Sequence, residues 1–314
     1  MLEAQGKDAS QPLVVAVLGA GLMGAHIASD FARAGHTVRF TVSARTPEAA
    51  ALARVSSAGA AAGDLSPAGD LAIGYARDTS EAAESADLVV ESLSEDLVLK
   101  QRELRIAQET APGAILTTNT SSLTIASIAA GLDDPRALIG MHYVNPPWAH
   151  RIVEVIPSDR TAPTVVEAID RILLSLGRIP IHVNEDVPGF VFNRLQFALL
   201  REAIDLVDRG VVTKEELDRV VVEGLGRRWG IVGPFAAAGL GGPDLFYGLA
   251  ERLYPTLSAS TSPSPRHRRH LAVSAAEIAL ARETRDAGLA AYVAPVAEPV
   301  HNPVVQLSPA PTSS

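Results

Sequence analysis

Residues 13–24 read LVVAVLGAGLMG, a β-branched apolar run that breaks into a glycine turn and then into GLMGAHIASDFARAG. Met23, Ile27 and Phe31 recur at helical spacing, and Gly35 is a C-terminal stop. A GxGxxG pattern alone is weak, but here it follows a strand and opens a helix, the context its mechanism requires. Gly19 permits the tight turn, Gly21 lets backbone approach a pyrophosphate, and Gly24 lets helix and strand pack closely. Leu22 and Met23 complete the turn, whose helix N-terminus offers free N–H groups and a positive dipole to phosphates. This stretch predicts a dinucleotide-binding βα unit.

The rest of the first half alternates in the same way. HTVRFTVS, LAIGYA, ADLVVESL and GAILTTN read as strands, a helix runs from Pro47 to Val55, and EDLVLKQRELRIAQET is amphipathic at a 3.6 period. Strand-helix-strand order implies parallel pairing and right-handed crossovers, so the fold class is α/β with an N-terminal Rossmann-type doubly wound sheet. ALIGMHYV and RIVEVIP extend that sheet. From about residue 186 the pattern turns all-helical, with 186–210 as one long helix, Thr213 and Glu216 as a capping box, and helices over 244–254 and 275–293. The expected organisation is a disordered arm over 1–12, a dinucleotide-binding domain over 13–186, an all-α C-terminal domain over 187–293, and a disordered Pro-rich tail over 294–314.

The formal net charge of −9 argues against nucleic-acid and anionic-membrane partners, which need a basic face. With no cysteine, disulfide, thiolate and cysteine–zinc chemistry are excluded. The polar start MLEAQGKDASQP is not a signal peptide and no apolar run reaches spanning length, so a cytoplasmic protein is expected.

Residues 140–156, GMHYVNPPWAHRIVEVI, read as two buried strands joined by a Pro-Pro connection, yet carry His142 and Glu154. A buried unpaired glutamate is costly, and His142 is its candidate partner. If the strands are adjacent, the carboxylate orients one imidazole nitrogen and leaves the other facing the cleft, an acid–base arrangement. A metal site from His142, His150 and Glu154 is weighed and set aside, because the prolines prevent a single helix and no other ligand cluster exists. His182, alone in an apolar run, reads as a core group. Thr118-Asn119-Thr120-Ser121-Ser122 ends a strand, where side chains face the ligand crevice; the same cluster serves as an N-cap for a helix at Thr124.

GAGLMGAHIA, SEDLVLK, NTSSL, GMHYVNPP with RIVEVIP, and DVPGFVFNRLQFALLREAIDLVDRG, in this order over Leu13 to Gly242, resemble the 3-hydroxyacyl-CoA dehydrogenase family. HxxNPP and EGLGRRWGIVGPF resemble its lambda-crystallin, or L-gulonate 3-dehydrogenase, branch. The resemblance implies that His142 is the catalytic base and Glu154 its partner. It implies that Ser121 and Asn193 bond the substrate oxygen or the histidine's surroundings, with Asn145 also toward substrate. Glu95 and Lys100 match positions near the nicotinamide and its ribose, with Asn119 beside them. It further implies that the helical half binds substrate and forms a homodimer.

Two departures shape the reading. The segment PEAAALARVSSAGAAAGDLSPAGD holds one basic residue, Arg54, where coenzyme A phosphates want several cations. The acidic residue expected after the second strand, which grips the adenosine ribose, is absent from Thr41-Val42-Ser43-Ala44-Arg45-Thr46. Ser43 and Arg45 instead suit a 2′-phosphate, so NADP is favoured over NAD. The expected activity is NAD(P)-dependent interconversion of a 3-hydroxy acid and its 3-keto compound, with Arg228 reading a free carboxylate. The alternatives are a 3-hydroxyacyl-CoA (3-hydroxybutyryl-CoA) dehydrogenase proper, an activity of fatty acid metabolism, and a non-catalytic crystallin-like or binding protein.

Overall fold

A computed structural model describes residues 11–42, 46–60, 72–263, 270–271 and 274–293. Ser43, Arg45, the tail over 294–314 and all of the expected arm except Gln11 and Pro12 lie outside these residues. The described chain divides into two units, one running to Arg194 and regaining the chain from Arg285, the other spanning Leu195–Thr284.

The first unit is an eight-stranded sheet of order β3-β2-β1-β4-β5-β6-β7-β8. Its strands are β1 (Val14–Leu18), β2 (Thr37–Phe40), β3 (Ile73–Tyr75), β4 (Leu88–Glu91), β5 (Ile115–Thr118), β6 (Leu138–Tyr143), β7 (Ile152–Ile156) and β8 (Ile179–His182). Neighbours pair in parallel from β3 through β6, β7 runs antiparallel to β6, and β8 is parallel to β7. The crossovers are α1 (Leu22–Arg33), α2 (Glu48–Ala60), α3 (Thr79–Ala83), α4 (Leu97–Thr110) and α5 (Ile125–Ala129), and α6 (Pro163–Ser175) joins β7 to β8.

The period-2 geometry of a strand explains why this sheet has a core on each face. Val15 and Val17 of β1 join Ile27, Phe31, Phe40 and Ile169 on one face. Ala16 and Leu18 join Leu104, Leu116, Ile125 and Phe190 on the other. Phe31 and Leu104 are fully buried, each worth about 1.5–3 kcal/mol relative to exposure. The strand order reverses between β1 and β4, and ligands bind outside the carboxyl ends of strands at such a switch point.

The second unit is helical. It carries most of α7 (Phe192–Asp208), then α8 (Lys214–Val220), a π-helical turn over Val221–Gly226, α9 (Arg227–Trp229), α10 (Pro234–Gly241), α11 (Pro243–Leu253) and the first part of α12 (Ala275–Val293). The capping box is present, with Thr213 accepting from the Glu216 amide and Glu216 reaching back.

Two expectations are corrected: the start of the long helix and the setting of His182. The helix read over 186–210 begins only at Phe192, because Gly189 (φ +80°) and Phe190 (φ +48°) form a left-handed turn after Pro188. Phe190 is part of the sheet's core and the amides of Val191 and Phe192 bind Glu154, so the sheet unit's contacts run on to Arg194. His182 is no core group: its side chain is 48% exposed on the edge strand, 3.2 Å from Asp170. No helix among the described residues is long and apolar enough to cross a membrane.

Candidate active site

The glycine turn has the form a dinucleotide needs. Gly19 holds φ +93°, and a Cβ on Gly24 would sit 2.1 Å from the Gly19 carbonyl oxygen. A Cβ on Gly21 would meet nothing within 4 Å, so its absence leaves open space at the helix start. Helix α1 has no side-chain cap and no acid in its first turn, whereas Asp78, Asp96 and Thr124 cap α3, α4 and α5. Its first N–H groups are therefore left for an anion, which fits a pyrophosphate. Leu22 stands exposed there with Met23 behind it, and Arg54 of α2 donates to the Ala20 carbonyl at 3.1 Å, placing a cation beside the turn.

At the other side of the switch point, the antiparallel register of β6 and β7 sets His142 directly opposite Glu154. Both are buried, and His142 Nδ1 lies 2.7 Å from Glu154 Oε2. The second carboxylate oxygen accepts from the Val191 and Phe192 amides, each at 2.9 Å. Burial alone would raise the Glu154 pKa; the hydrogen bonds from His142, Phe192 and Val191 outweigh it and hold the pKa below the ordinary value. An ionised carboxylate only accepts, so His142 donates through Nδ1, an orientation that leaves the Nε2 lone pair of the neutral imidazole facing away from Glu154. That nitrogen is 3.2 Å from Ser121 Oγ. The Phe190 ring packs 5.4 Å from the imidazole.

Ser121 is fixed through its backbone. Its amide donates to Glu95 Oε1 at 3.0 Å, and its carbonyl accepts from Asn193 Nδ2 at 3.3 Å. Glu95 Oε1 also accepts from Thr120 Oγ1, the Ser122 amide and Ser122 Oγ. Burial opposes this charge, but these bonds and the nearby Lys100 ammonium lower the Glu95 pKa to about 2.

The structure therefore gathers Ser121, His142, Glu154 and Asn193 into one hydrogen-bonded group, with Asn145 exposed in the loop between β6 and β7. Two residues expected at the cofactor are engaged elsewhere. Asn119 Oδ1 accepts from the Tyr143 amide at 2.9 Å, tying β5 to β6. Lys100 is 1% exposed and bonds Glu91 at 2.7 Å. Arg228 stands exposed on the helical unit, in α9, which follows the π-helical turn. Sequence reading missed Glu91 and Asp186. Glu91 ends the apolar strand LVVE, the same signal of a glutamate in a core strand that exposed Glu154. Asp186 caps α5 by accepting from the Ile125 and Ala126 amides at 3.0 and 2.7 Å.

Two family models match in tandem: the 3-hydroxyacyl-CoA dehydrogenase NAD binding domain over residues 14–187 and the 3-hydroxyacyl-CoA dehydrogenase C-terminal domain over 189–278. The chain is 35% identical over 263 residues to 5-formyl-3-hydroxy-2-methylpyridine 4-carboxylate 5-dehydrogenase of Mesorhizobium japonicum, covering 80% of this chain and 83% of the relative. It is 34% identical over 229 residues to the human lambda-crystallin homolog, covering 70% of this chain and 72% of the relative. A crystal structure described as that pyridine 5-dehydrogenase, an NAD+ dependent dismutase, superposes with a TM-score of 0.82 at 30% identity, over 90% of this chain and 97% of the other. The chain belongs to the 3-hydroxyacyl-CoA dehydrogenase family and is an NAD-dependent oxidoreductase.

Proposed function

We propose that this oxidoreductase acts on a small free 3-hydroxy acid, with His142 as general base and Glu154 as its orienting partner. The observation that carries the proposal is the Ser121–His142–Glu154 line, with contacts of 3.2 and 2.7 Å. The nicotinamide cofactor, NAD or NADP, would supply the hydride acceptor when bound. The chain's own residues handle the proton: Nε2 of His142 takes it from the substrate hydroxyl, and Glu154 stabilises the imidazolium that results. Ser121 Oγ donates to the substrate oxygen, and Asn193 keeps that serine in place. In the reverse direction the imidazolium returns the proton to the keto oxygen.

A free acid is favoured over a coenzyme A thioester because Arg54 is the only basic residue between Pro47 and Asp70. The substrate for which the Mesorhizobium japonicum relative is named also carries a carboxylate. Arg228 is the proposed carboxylate reader, since a guanidinium holds that group through two parallel bonds. NADP is proposed as the preferred cofactor on the carboxylate-free run Thr41–Thr46 with Ser43 and Arg45. We also assign a homodimer through the helical unit. Phe235 is 86%, Leu240 81% and Tyr247 69% exposed there, in a unit where α8 to α11 bury no side chain among the described residues. Apolar helices without a core of their own need a covering surface, and a second copy supplies it.

A turnover screen of free 3-hydroxy acids against their coenzyme A thioesters, each with NAD and NADP, tests the substrate and cofactor together. Thioester-only turnover removes the free-acid reading, and tighter NADH than NADPH binding removes the NADP preference. Light scattering at micromolar concentration that gives a monomer removes the dimer.

A further inference from the structure

The loop between β6 and β7, residues 144–151, has little backbone bonding of its own. β6 ends at Tyr143 and β7 starts at Ile152. Pro146 and Pro147 carry no N–H, and the internal backbone bond runs from the Ala149 amide to the Pro146 carbonyl at 3.1 Å. Yet this loop begins two residues after His142 and carries Asn145.

The residues that open β8 hold it instead. The Ile179 amide donates to the Arg151 carbonyl at 2.8 Å, and Arg151 Nε donates to the Gly177 carbonyl at 3.3 Å. Arg178 reaches further along the loop: its Nη1 donates to the Pro147 carbonyl at 2.9 Å and to the His150 carbonyl at 2.8 Å. Neither carbonyl accepts from a backbone amide among the described residues, so Arg178 is the group that satisfies them.

The rest of the guanidinium faces α1. Nε and Nη2 donate to the two carboxylate oxygens of Asp30 at 2.8 and 2.6 Å. The group also lies over the Tyr143 ring, 5.7 Å from its centroid. The Arg178 side chain is only 11% exposed. Burial opposes its charge, but the hydrogen bonds and charge of Asp30 outweigh that and hold the Arg178 pKa above its ordinary value. Asp30 stands in the third turn of α1, the helix whose start is the glycine turn. A planar fork can grip a carboxylate and two carbonyls at once; an ammonium, a single point of charge, cannot.

We infer that Arg178, oriented by Asp30, is a positioning residue: it fixes the loop that carries Asn145 and ties it to the helix that opens the cofactor turn. The functional consequence rests on the reading of Asn145 as a substrate contact. None of the Arg178 bonds goes to Ser121, His142, Glu154 or Asn193, so it acts through the loop backbone.

Arg178→Lys keeps the charge beside Asp30 and gives up the fork. Hydrogen exchange in cofactor-free protein reads the loop directly. The Ala149 amide should exchange about tenfold faster or more in Arg178→Lys, while the amides of β1 and β4 keep their wild-type rates. Kinetics read the consequence, with the best free 3-hydroxy acid of the turnover screen. Arg178→Lys should raise its KM about fivefold or more in the wild-type background and less than about twofold in the Asn145→Ala background, as for residues coupled in one network. NADH affinity by fluorescence should stay within about threefold. Asp30→Asn removes the charge that orients the fork and leaves the loop acceptors in place, so it should give the same pattern at smaller amplitude. Unchanged exchange at Ala149 overturns the inference. So does faster exchange throughout β1 and β4, which marks Arg178 as a stabiliser of the whole sheet. Where Asn145→Ala itself raises KM, an equal effect of Arg178→Lys in both backgrounds overturns it too. Faster exchange confined to the loop, with KM unmoved by Asn145→Ala, supports the inference and removes Asn145 as a substrate contact. If no acid turns over, the exchange rates alone decide.

Discussion

Glu154→Gln preserves the shape of the side chain and removes one acceptor. In the wild type, Oε1 serves two backbone amides at 2.9 Å and Oε2 serves His142 Nδ1 at 2.7 Å. Glutamine has one carbonyl oxygen and must leave one side without an acceptor. Turning its NH2 toward Val191 and Phe192 would strand two part-buried donors, at no more than about 1–3 kcal/mol each. Turning its NH2 toward His142 strands nothing, provided the imidazole moves its proton from Nδ1 to Nε2. The second arrangement wins. The nitrogen facing Ser121 then carries a proton and cannot accept one. Loss of the correct tautomer costs about 10⁴-fold where an amide replaces the carboxylate of a serine–histidine–aspartate triad, and the same logic predicts a kcat loss of about 10³–10⁴-fold here. NADH affinity should stay within about threefold, because none of the glycine turn is touched.

Steady-state kinetics and the 15N shifts of His142 decide it. A Glu154→Gln protein that keeps Nδ1–H, or that retains more than a tenth of wild-type kcat, refutes the tautomer argument. The same substitution has a pH signature. The folded pKa of Glu154 lies below its ordinary value, so the ionised group contributes stability that is fully present above the unfolded pKa. That stability is lost as pH falls through the lower, folded value. The glutamine variant lacks this contribution, so its stability should fall less steeply in acid than that of the wild type.

His142→Ala should lose about 10²–10⁴-fold in kcat with NADH binding unchanged; near-normal turnover would remove His142 as the base. Gly24→Ala places a Cβ 2.1 Å from the Gly19 oxygen, so the turn must open, and both thermal stability and NADH affinity should fall together in calorimetry. Glu95, with an ordinary pKa of 4.5 lowered to about 2, contributes stability above pH 4.5 that is lost between there and pH 2; acid titration of Glu95→Gln should lack that segment of the curve. Arg228→Ala should raise KM for a free 3-hydroxy acid much more than for its ester or thioester, and equal effects on both would remove its assigned contact.

The nucleotide-binding half was legible because its signals are local and periodic. LVVAVLG could be read as a strand buried on both faces, and the structure places Val15 and Val17 in one core and Ala16 and Leu18 in the other. The His142–Glu154 pair was legible from cost alone, since a glutamate inside RIVEVI needs a partner and only one polar residue on the neighbouring strand suits it. The same argument applied to LVVE would have found Glu91. Its signal is weaker because its partner, Lys100, is on a helix, where a lysine ordinarily reads as a solvated face. The turn at Pro188–Phe190 was hidden by the strength of the helical period after it. Pro188-Gly189 is a break signal, and Phe190 accepts φ +48°, a strained position for a non-glycine residue. That strain has a use: it aims the Val191 and Phe192 amides at the Glu154 oxygen.

The helical half shows the opposite limit. Its elements follow from period and caps, down to the reciprocal Thr213–Glu216 box, yet period says only that an apolar stripe exists, not what covers it. In the sheet unit the apolar residues are buried within one chain, so pattern and packing coincide. In α10 and α11 the apolar residues Phe235, Leu240, Leu245 and Tyr247 remain exposed. Burial of such a face yields about 25 cal/mol per Å² only when a partner arrives. A chain can therefore encode these helices locally while leaving their stability to association. This separates two kinds of fragility. Substitutions around Glu154 and Glu91 act through buried polar groups and are independent of concentration. On the proposed homodimer, a charge placed at Phe235 or Leu240 should instead lower the melting temperature in a concentration-dependent way, because assembly would be linked to folding by mass action; a concentration-independent shift removes the homodimer.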